Sequence, residues 1–245
     1  MQELIEVWVK VQANYLYLKP IFNSQDITQK LPSEAVDFGI VDKIWRELME
    51  TLETDKLVLH IERIPNLMDN LYSAHSALEK VQKRLNDYLE SKRAKFPRFY
   101  FLSNEELLEI LGETQNPLKV QRHLPKIFEG INELVFSDHT EITGMKSEEG
   151  EHIPFLTKIS PHKYAGNVEE WLIEVESEMK NAISYTIQNA VSGYISTPRR
   201  VNWVLKWPGQ VVLCVSQVFW KESIAKALVN KDLYVKFSLF NFSCI

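Results

Sequence analysis

Asn66–Ala94, NLMDNLYSAHSALEKVQKRLNDYLESKRA, is the segment from which the rest of the chain can be placed. After Pro65, the residues Leu67, Leu71, Ala74, Leu78, Val81, Leu85 and Tyr88 recur in alternating steps of four and three. That spacing is a heptad seam, which keeps one stripe of a helix turned toward a neighbour. A continuous helix over residues 66–94 would extend about 43 Å at ~1.5 Å per residue. Lys80, Lys83, Arg84, Asp87 and Glu90 fall off the seam and suit solvent. A helix of this kind packs on one side into a bundle or carries force along its axis, and periodicity alone accommodates both roles.

The flanking segments extend the same pattern. Upstream, Ile5, Trp8, Val11, Tyr15 and Leu18 recur at helical spacing, with Pro20 marking the exit. Asp26–Leu31 suits a short helical turn, and Pro32-Ser33 opens a helix whose apolar face carries Val36, Ile40, Ile44, Trp45 and Leu48. Downstream, one long helix is expected from about Asn167 to Val191, with Trp171, Leu172, Val175, Met179, Ile183, Ile187 and Ala190 on one face. A partner helix begins after Pro208-Gly209 and carries Val212, Val215, Phe219, Ile224 and Leu228. Gly193–Trp207, with Pro198, Arg199 and Arg200, reads as the connector.

Directly after the seam comes Phe96-Pro97-Arg98-Phe99-Tyr100-Phe101-Leu102-Ser103-Asn104-Glu105-Glu106. Pro97 stops the long helix, and the aromatics that follow favour an extended segment. Ser103 with Glu106 three residues on makes a capping box for a helix over Glu105–Leu111, which stops near Gly112. Arg98 is expected to be a fixed donor to a carboxylate or carbonyl near the aromatic cluster. A short helix is predicted for His123–Leu134. The periodicity then changes, and Ile142–Met145 with Ile153–Ile159 flank Lys146-Ser147-Glu148-Glu149-Gly150-Glu151, a charged, Gly-containing turn. The predicted architecture is all-α, an elongated helical bundle rod with one small β-hairpin.

Composition bounds the function. With 45% hydrophobic and 25% charged residues over 245 positions, the chain is expected to be globular and to bury a sizeable core. A net charge of -5 argues against a nucleic-acid platform. The longest strongly apolar run, Val211–Val215, falls far short of the ~20 residues of a membrane span. Glu3 and Glu6 interrupt any apolar leader core, so no signal peptide is expected. Cys214 and Cys244 stand in no motif spacing, which suits a reducing cytoplasmic compartment.

Reactive constellations are hard to find. No Gly-rich loop ending in Gly-Lys-Ser/Thr is present, and Glu151 beside Gly150 would repel a phosphate. His60, His75, His123, His139, His152 and His162 form no pair at three- or four-residue helical spacing, and no nucleophile elbow accompanies a His and an Asp. Catalytic, cofactor-binding and metal-binding residues are therefore all expected to be none. Phe99, Tyr100, Phe101, Trp203 and Trp207 suggest stacking platforms, but Arg98, Arg199 and Arg200 are too few to line a nucleic-acid groove, so packing is expected. Ser196-Thr197-Pro198 is a candidate phosphorylation triplet.

The aromatic run closely resembles the linker region of dynein heavy chains, and the likeness covers approximately residues 5–220. In order, the similar segments are Tyr17-Leu18-Lys19-Pro20-Ile21-Phe22 with Ser24 and Asp26-Ile27, then Leu31-Pro32 with Glu34, and Val41-Asp42 with Trp45-Arg46. They continue through His123-Leu124-Pro125-Lys126-Ile127-Phe128-Glu129-Gly130-Ile131, Ser147–Glu151, Val168-Glu169-Glu170-Trp171-Leu172 and Trp207-Pro208-Gly209-Gln210-Val211-Val212-Leu213. The style is that of an axonemal, inner-arm heavy chain.

What this resemblance implies is a later, ring-proximal part of the linker, an arched rod of helical bundles beside an AAA+ ring. Residues 1–220 would be partial linker and residues 221–245 a divergent tail, strand-like and apolar over Asp232–Ile245. The implied function is mechanical, in an ATP-driven microtubule motor of the cilium or flagellum axoneme, within the cytoplasm and cytoskeleton. ATP and magnesium would belong to the ring of the full-length family, leaving this chain without a cofactor and without enzymatic activity of its own. Implied partners are the AAA+ ring of the same heavy chain and, through the whole complex, dynein intermediate and light chains and microtubules, with no nucleic acid or membrane. Connectors around Pro20, Pro97 and Pro198 would admit small angular changes, and the hairpin around Gly150 is a candidate ring contact. The alternative is a stand-alone helical interaction module binding dynein subunits or cytoskeletal partners.

Overall fold

The computed structural model describes residues 2–54, 64–112, 116–137 and 140–229. The tail expected over Asp232–Ile245 lies outside the described residues. The chain divides into two units, Met1–Phe128 with His162–Glu170, and Glu129–Pro161 with Trp171–Ile245. Helices dominate the described residues, joined by one small antiparallel sheet.

In the first unit, α4 (Leu67–Lys95) packs against α1 (Gln2–Phe22) and α3 (Pro32–Thr54). The seam is buried from Leu67 through Leu85, and its next members are Leu89 and Lys92, with Tyr88 only half-buried. Two successive steps of four replace the expected 4-3 alternation there. A straight helix of 3.6 residues per turn drifts off a strict heptad, and a longer step restores contact.

The inward faces of α1 and α3 include the expected Val11, Tyr15, Leu18, Trp45 and Leu48 and depart from expectation toward the N-terminal end of each helix. Leu4, Val7, Val11, Tyr15, Leu18 and Phe22 are buried on α1, whereas Ile5 is exposed. On α3 the buried residues are Phe38, Val41, Trp45 and Leu48, with Val36 and Ile40 exposed. Aromatic pairing explains the choice. Tyr15 stacks on Phe38 at 5.8 Å and meets Trp45 at 5.3 Å, and Phe22 stacks on Phe38 at 5.2 Å. Rings bury more area than the β-branched residues beside them. Burial of Phe22 also carries α1 past Pro20, which stands inside the helix instead of ending it. The short helix α2 (Gln25–Lys30) follows as expected.

The aromatic run is a 3-10 helix, Pro97–Phe101, and not an extended segment. Phe96, Phe99 and Leu102 are buried at a spacing of three, while Tyr100 and Phe101 are exposed. A period of three is that of the 3-10 helix, and its bonds run from Phe99 N–H to Phe96 O at 3.0 Å and from Leu102 N–H to Phe99 O at 3.1 Å. The next helix, α5 (Asn104–Gly112), starts and stops where the capping box and glycine predict.

His123–Leu134 is not one helix. A 3-10 turn, Pro117–His123, leads into the single-turn α6 (Leu124–Ile127), and Glu133–Ser137 is strand β1. With β2 (Glu141–Lys146) and β3 (His152–Ile159), it makes a sheet of order β1-β2-β3 in the second unit, so the predicted hairpin carries a third strand. Leu-Val-Phe at positions 134–136 are residues that suit a pleated strand better than a helix end. A Cβ on Gly144 would sit 2.8 Å from Ile153 O, so only glycine lets the strands approach there. Gly150, at φ +83°, turns the hairpin.

The second unit is completed by α7 (Val168–Ser196), of which Trp171 onward belongs here, with α8 (Arg200–Val204) and α9 (Gly209–Val229). Ala190, Trp203, Val211 and Val215 form its helical core, flanked by Ile187, Tyr194, Trp207 and Phe219. Helix α7 runs further than expected, to Ser196, and Leu228 on α9 is exposed.

Candidate functional site

Among the described residues of the first unit, one carboxylate is fully buried. Glu169 lies in the first turn of α7 with 0% of its surface exposed, and Lys92 occupies a seam position near the end of α4. Lys92 Nζ donates to Glu169 Oε1, and Lys95 Nζ lies 3.5 Å from the same oxygen. Burial alone would raise the Glu169 carboxyl, but the Lys92 hydrogen bond, the backbone amide and the two lysine charges together hold it below its ordinary value. Tyr88 Oη and Glu169 Oε2 are buried without a protein partner, and burial followed by the Glu169 charge pushes the Tyr88 hydroxyl upward. Nearby, Lys30 Nζ donates to Gly166 O at 3.3 Å, and burial followed by the Lys92 charge lowers its pKa.

This cluster fastens the end of α4 to the 162–170 segment. A carboxylate locked in its ionised form and sealed from solvent makes a poor general acid or base. Its chemistry is positional. Sequence reasoning passed over it, although a lysine where the seam calls for an apolar residue was a visible signal.

The junction between α4 and α5 is held equally firmly. Arg93 donates to Glu90 Oε1 at 2.9 Å, to Leu102 O at 3.3 Å and to Asn104 Oδ1 at 2.8 Å. The Tyr100 hydroxyl donates to Glu90 Oε2 at 3.1 Å. Arg98 takes its expected part as a donor to a carbonyl, reaching Ile127 O at 3.3 Å with its guanidinium 5.0 Å from the Phe128 ring centre. Phe96 meets Phe99 edge-on at 5.0 Å and Phe128 at 6.1 Å. The capping box closes with both bonds, Ser103 N–H to Glu106 at 3.0 Å and Glu106 N–H to Ser103 Oγ at 3.2 Å. Lys126 also pairs with Glu106, and that hydrogen bond, followed by the Ser103 amide, holds the carboxyl below its ordinary value.

In the second unit, the hairpin residue Glu151 accepts a hydrogen bond from Gly209 N–H at 2.7 Å, which satisfies a free amide at the start of α9. Glu148, Glu149 and Gly150 remain exposed at the tip. Trp203 Nε1 donates to Ala190 O at 2.9 Å, and Tyr194 stacks on Phe219 at 4.0 Å. Trp203 and Phe99 are therefore core residues, whereas Phe101 is 70% exposed and cannot anchor packing.

Among the described residues, no group of three His, Cys, Asp or Glu side chains could hold a metal ion. His60, His139 and Cys244 lie outside them, and Cys214 is an exposed free thiol. No described helix is long and apolar enough to cross a membrane. A depression of about 180 Å³ in the first unit, lined by Trp45, Leu48, Leu71 and Ala74, offers Glu47, Thr51 and Asn70 as polar groups among the described residues.

Comparison with known proteins adds what the geometry does not. Residues 1–190 match the family model described as dynein heavy chain, N-terminal region 2. The chain is 48% identical over 233 residues to human dynein axonemal heavy chain 3, covering 95% of this chain and 6% of that protein. It is 48% identical over 220 residues to human dynein axonemal heavy chain 12, covering 90% of this chain and 7% of that protein. Over 227 residues it is 44% identical to rat dynein axonemal heavy chain 1, covering 93% and 5% of the two.

Proposed function

This chain belongs to the dynein heavy-chain family, and we propose that it is the later, ring-proximal part of the linker of an axonemal heavy chain. In that role it is a mechanical element of an ATP-driven microtubule motor and performs no chemistry itself. The observation that carries this reading is the colinear identity to axonemal heavy chains over 90 to 95% of the chain. The long buried seam of α4, fastened at its end by Lys92, Glu169 and Arg93, supports it. Helices locked by buried charges and rings pass displacement to their neighbours because packed interiors deform little.

The place of work that follows is the ciliary or flagellar axoneme. The partners are the AAA+ ring of the same heavy chain and, through the assembled motor, intermediate and light chains and microtubules. ATP and magnesium are held by the ring. The exposed acidic tip Glu148-Glu149-Gly150 is the proposed ring contact of the second unit. A lever of this kind moves only if nucleotide changes the relative stability of its two positions.

The reading is tested in a heavy chain that carries this segment together with its motor. Replacing both Lys92 and Arg93 by Ala should slow microtubule gliding while ATP turnover by the ring continues. Gliding at the parental speed, with the substituted segment shown to be loosened by proteolysis, would overturn the mechanical role.

A further inference from the structure

Ser196-Thr197-Pro198-Arg199-Arg200 lies where α7 ends and α8 begins. Its two hydroxyls are not equivalent. Ser196 Oγ donates back to Ser192 O at 3.1 Å and to Gly193 O at 3.4 Å, so it is occupied by its own helix. Thr197 has its N–H bonded to Gly193 O at 2.9 Å, but its hydroxyl has no partner among the described residues. Pro198 and Arg199 are exposed, and Arg199 is extended at φ -99°, ψ 116°. Thr197 is half-buried at the last turn of α7, Pro198 and Arg199 form the bend that follows, and α8 starts at Arg200. The residue before a proline is biased away from the helical region, which ends α7 here. Kinases that tolerate proline after the acceptor require no N–H there.

We propose that Thr197 is a phosphate-acceptor site for a proline-directed protein kinase, and that Arg199 and Arg200 are the counter-cations of the phosphate. In the transfer, Thr197 Oγ1 attacks the γ-phosphorus of a nucleoside triphosphate supplied with the kinase. The new O–P bond replaces the bond to the bridging oxygen, the nucleoside diphosphate leaves, and the hydroxyl proton passes to the carboxylate base of the kinase.

Charge explains why the arginines matter. A phosphate at a helix C-terminus meets the carbonyl end of the dipole and is disfavoured unless cations answer it. Arg199 makes no hydrogen bond or ion pair among the described residues and is exposed. Arg200 is already placed, with Nη1 donating to Tyr194 O at 2.9 Å and its guanidinium 3.2 Å from the Tyr194 ring centre. A guanidinium carries five N–H donors, so Arg200 can keep Tyr194 and still meet a phosphate. This inference rests on these five residues and not on the linker reading.

The 245-residue chain, incubated with a cyclin-dependent-class kinase and Mg-ATP, should take up phosphate on Thr197 as mapped by peptide mass spectrometry. Incorporation at that position should be lost in Thr197→Val, kept in Thr197→Ser and lost in Pro198→Ala, with circular dichroism unchanged in all three. In the phosphorylated chain, the phosphorus-31 titration should have its midpoint below the ~6 of an unpaired phosphothreonine and move upward in Arg199→Ala. Phosphate found only on Ser196 or elsewhere, or incorporation indifferent to Pro198, would refute the site. A midpoint indifferent to both Arg199→Ala and Arg200→Ala would refute the role given to the arginines.

Discussion

Glu169 is a carboxylate with no exposed surface, and its stability contribution depends on the lysine that faces it. Removing one partner of a buried ion pair strands the other, at a cost of about 3–5 kcal/mol. Lys92→Met should therefore destabilise the chain strongly in a denaturant titration, with Lys95 as the only other lysine paired to Glu169 among the described residues. The double variant Lys92→Met/Glu169→Leu should recover much of that loss, because no charge is left buried. A double variant no more stable than Lys92→Met would mean that the pair is not the source of the effect. The same carboxylate sets an acid limit. Its folded pKa lies below the unfolded value, so its contribution is fully present above about 4.3. It is lost as pH falls through the lower folded value, and Glu169→Gln should flatten that arm of a stability-versus-pH curve. An unchanged acid arm would assign acid unfolding to other carboxylates.

At the scale of elements, the aromatic run separates two residues that look alike in sequence. Phe99 is fully buried and Phe101 is 70% exposed. Phe99→Ala should cost about 3–5 kcal/mol, whereas Phe101→Ala should stay within about 0.5 kcal/mol of the parent. Equal losses by thermal denaturation would mean that the 3-10 helix is not the conformation in solution. The signal for this helix was present in the sequence as the spacing of Phe96, Phe99 and Leu102, but strand propensity outweighed it. Helix boundaries marked by capping chemistry were legible, as at Ser103, Glu106 and Gly112. The face of α4 was legible from Leu67 to Leu85, whereas that of α3 was not, because Val36 and Ile40 are as apolar as the residues buried in their place, and the choice was made by rings on a neighbouring helix. Strand β1 was only partly legible: Leu134, Val135 and Phe136 carry strand propensity, but the pairing with β2 that makes them a strand is a tertiary fact.

For the molecule as a whole, the helical class and the family were readable from colinear motifs, and the comparisons place the chain with axonemal heavy chains. Its buried fastening was less legible, because Lys92 and Glu169 lie 77 positions apart and meet only when α4 and the start of α7 are folded. The chain spans about 6% of the length of its relative dynein axonemal heavy chain 3, so the proposed mechanical role is exercised only within a whole motor.

The most direct test is the energy-transfer distance between a label at Ser73, exposed on α4, and a label on the ATPase ring of a heavy chain carrying this segment. A mechanical linker requires that distance to change between the nucleotide-free and ATP-bound motor. A distance that stays constant through the cycle, while the same labelled motor still moves microtubules, would contradict the account.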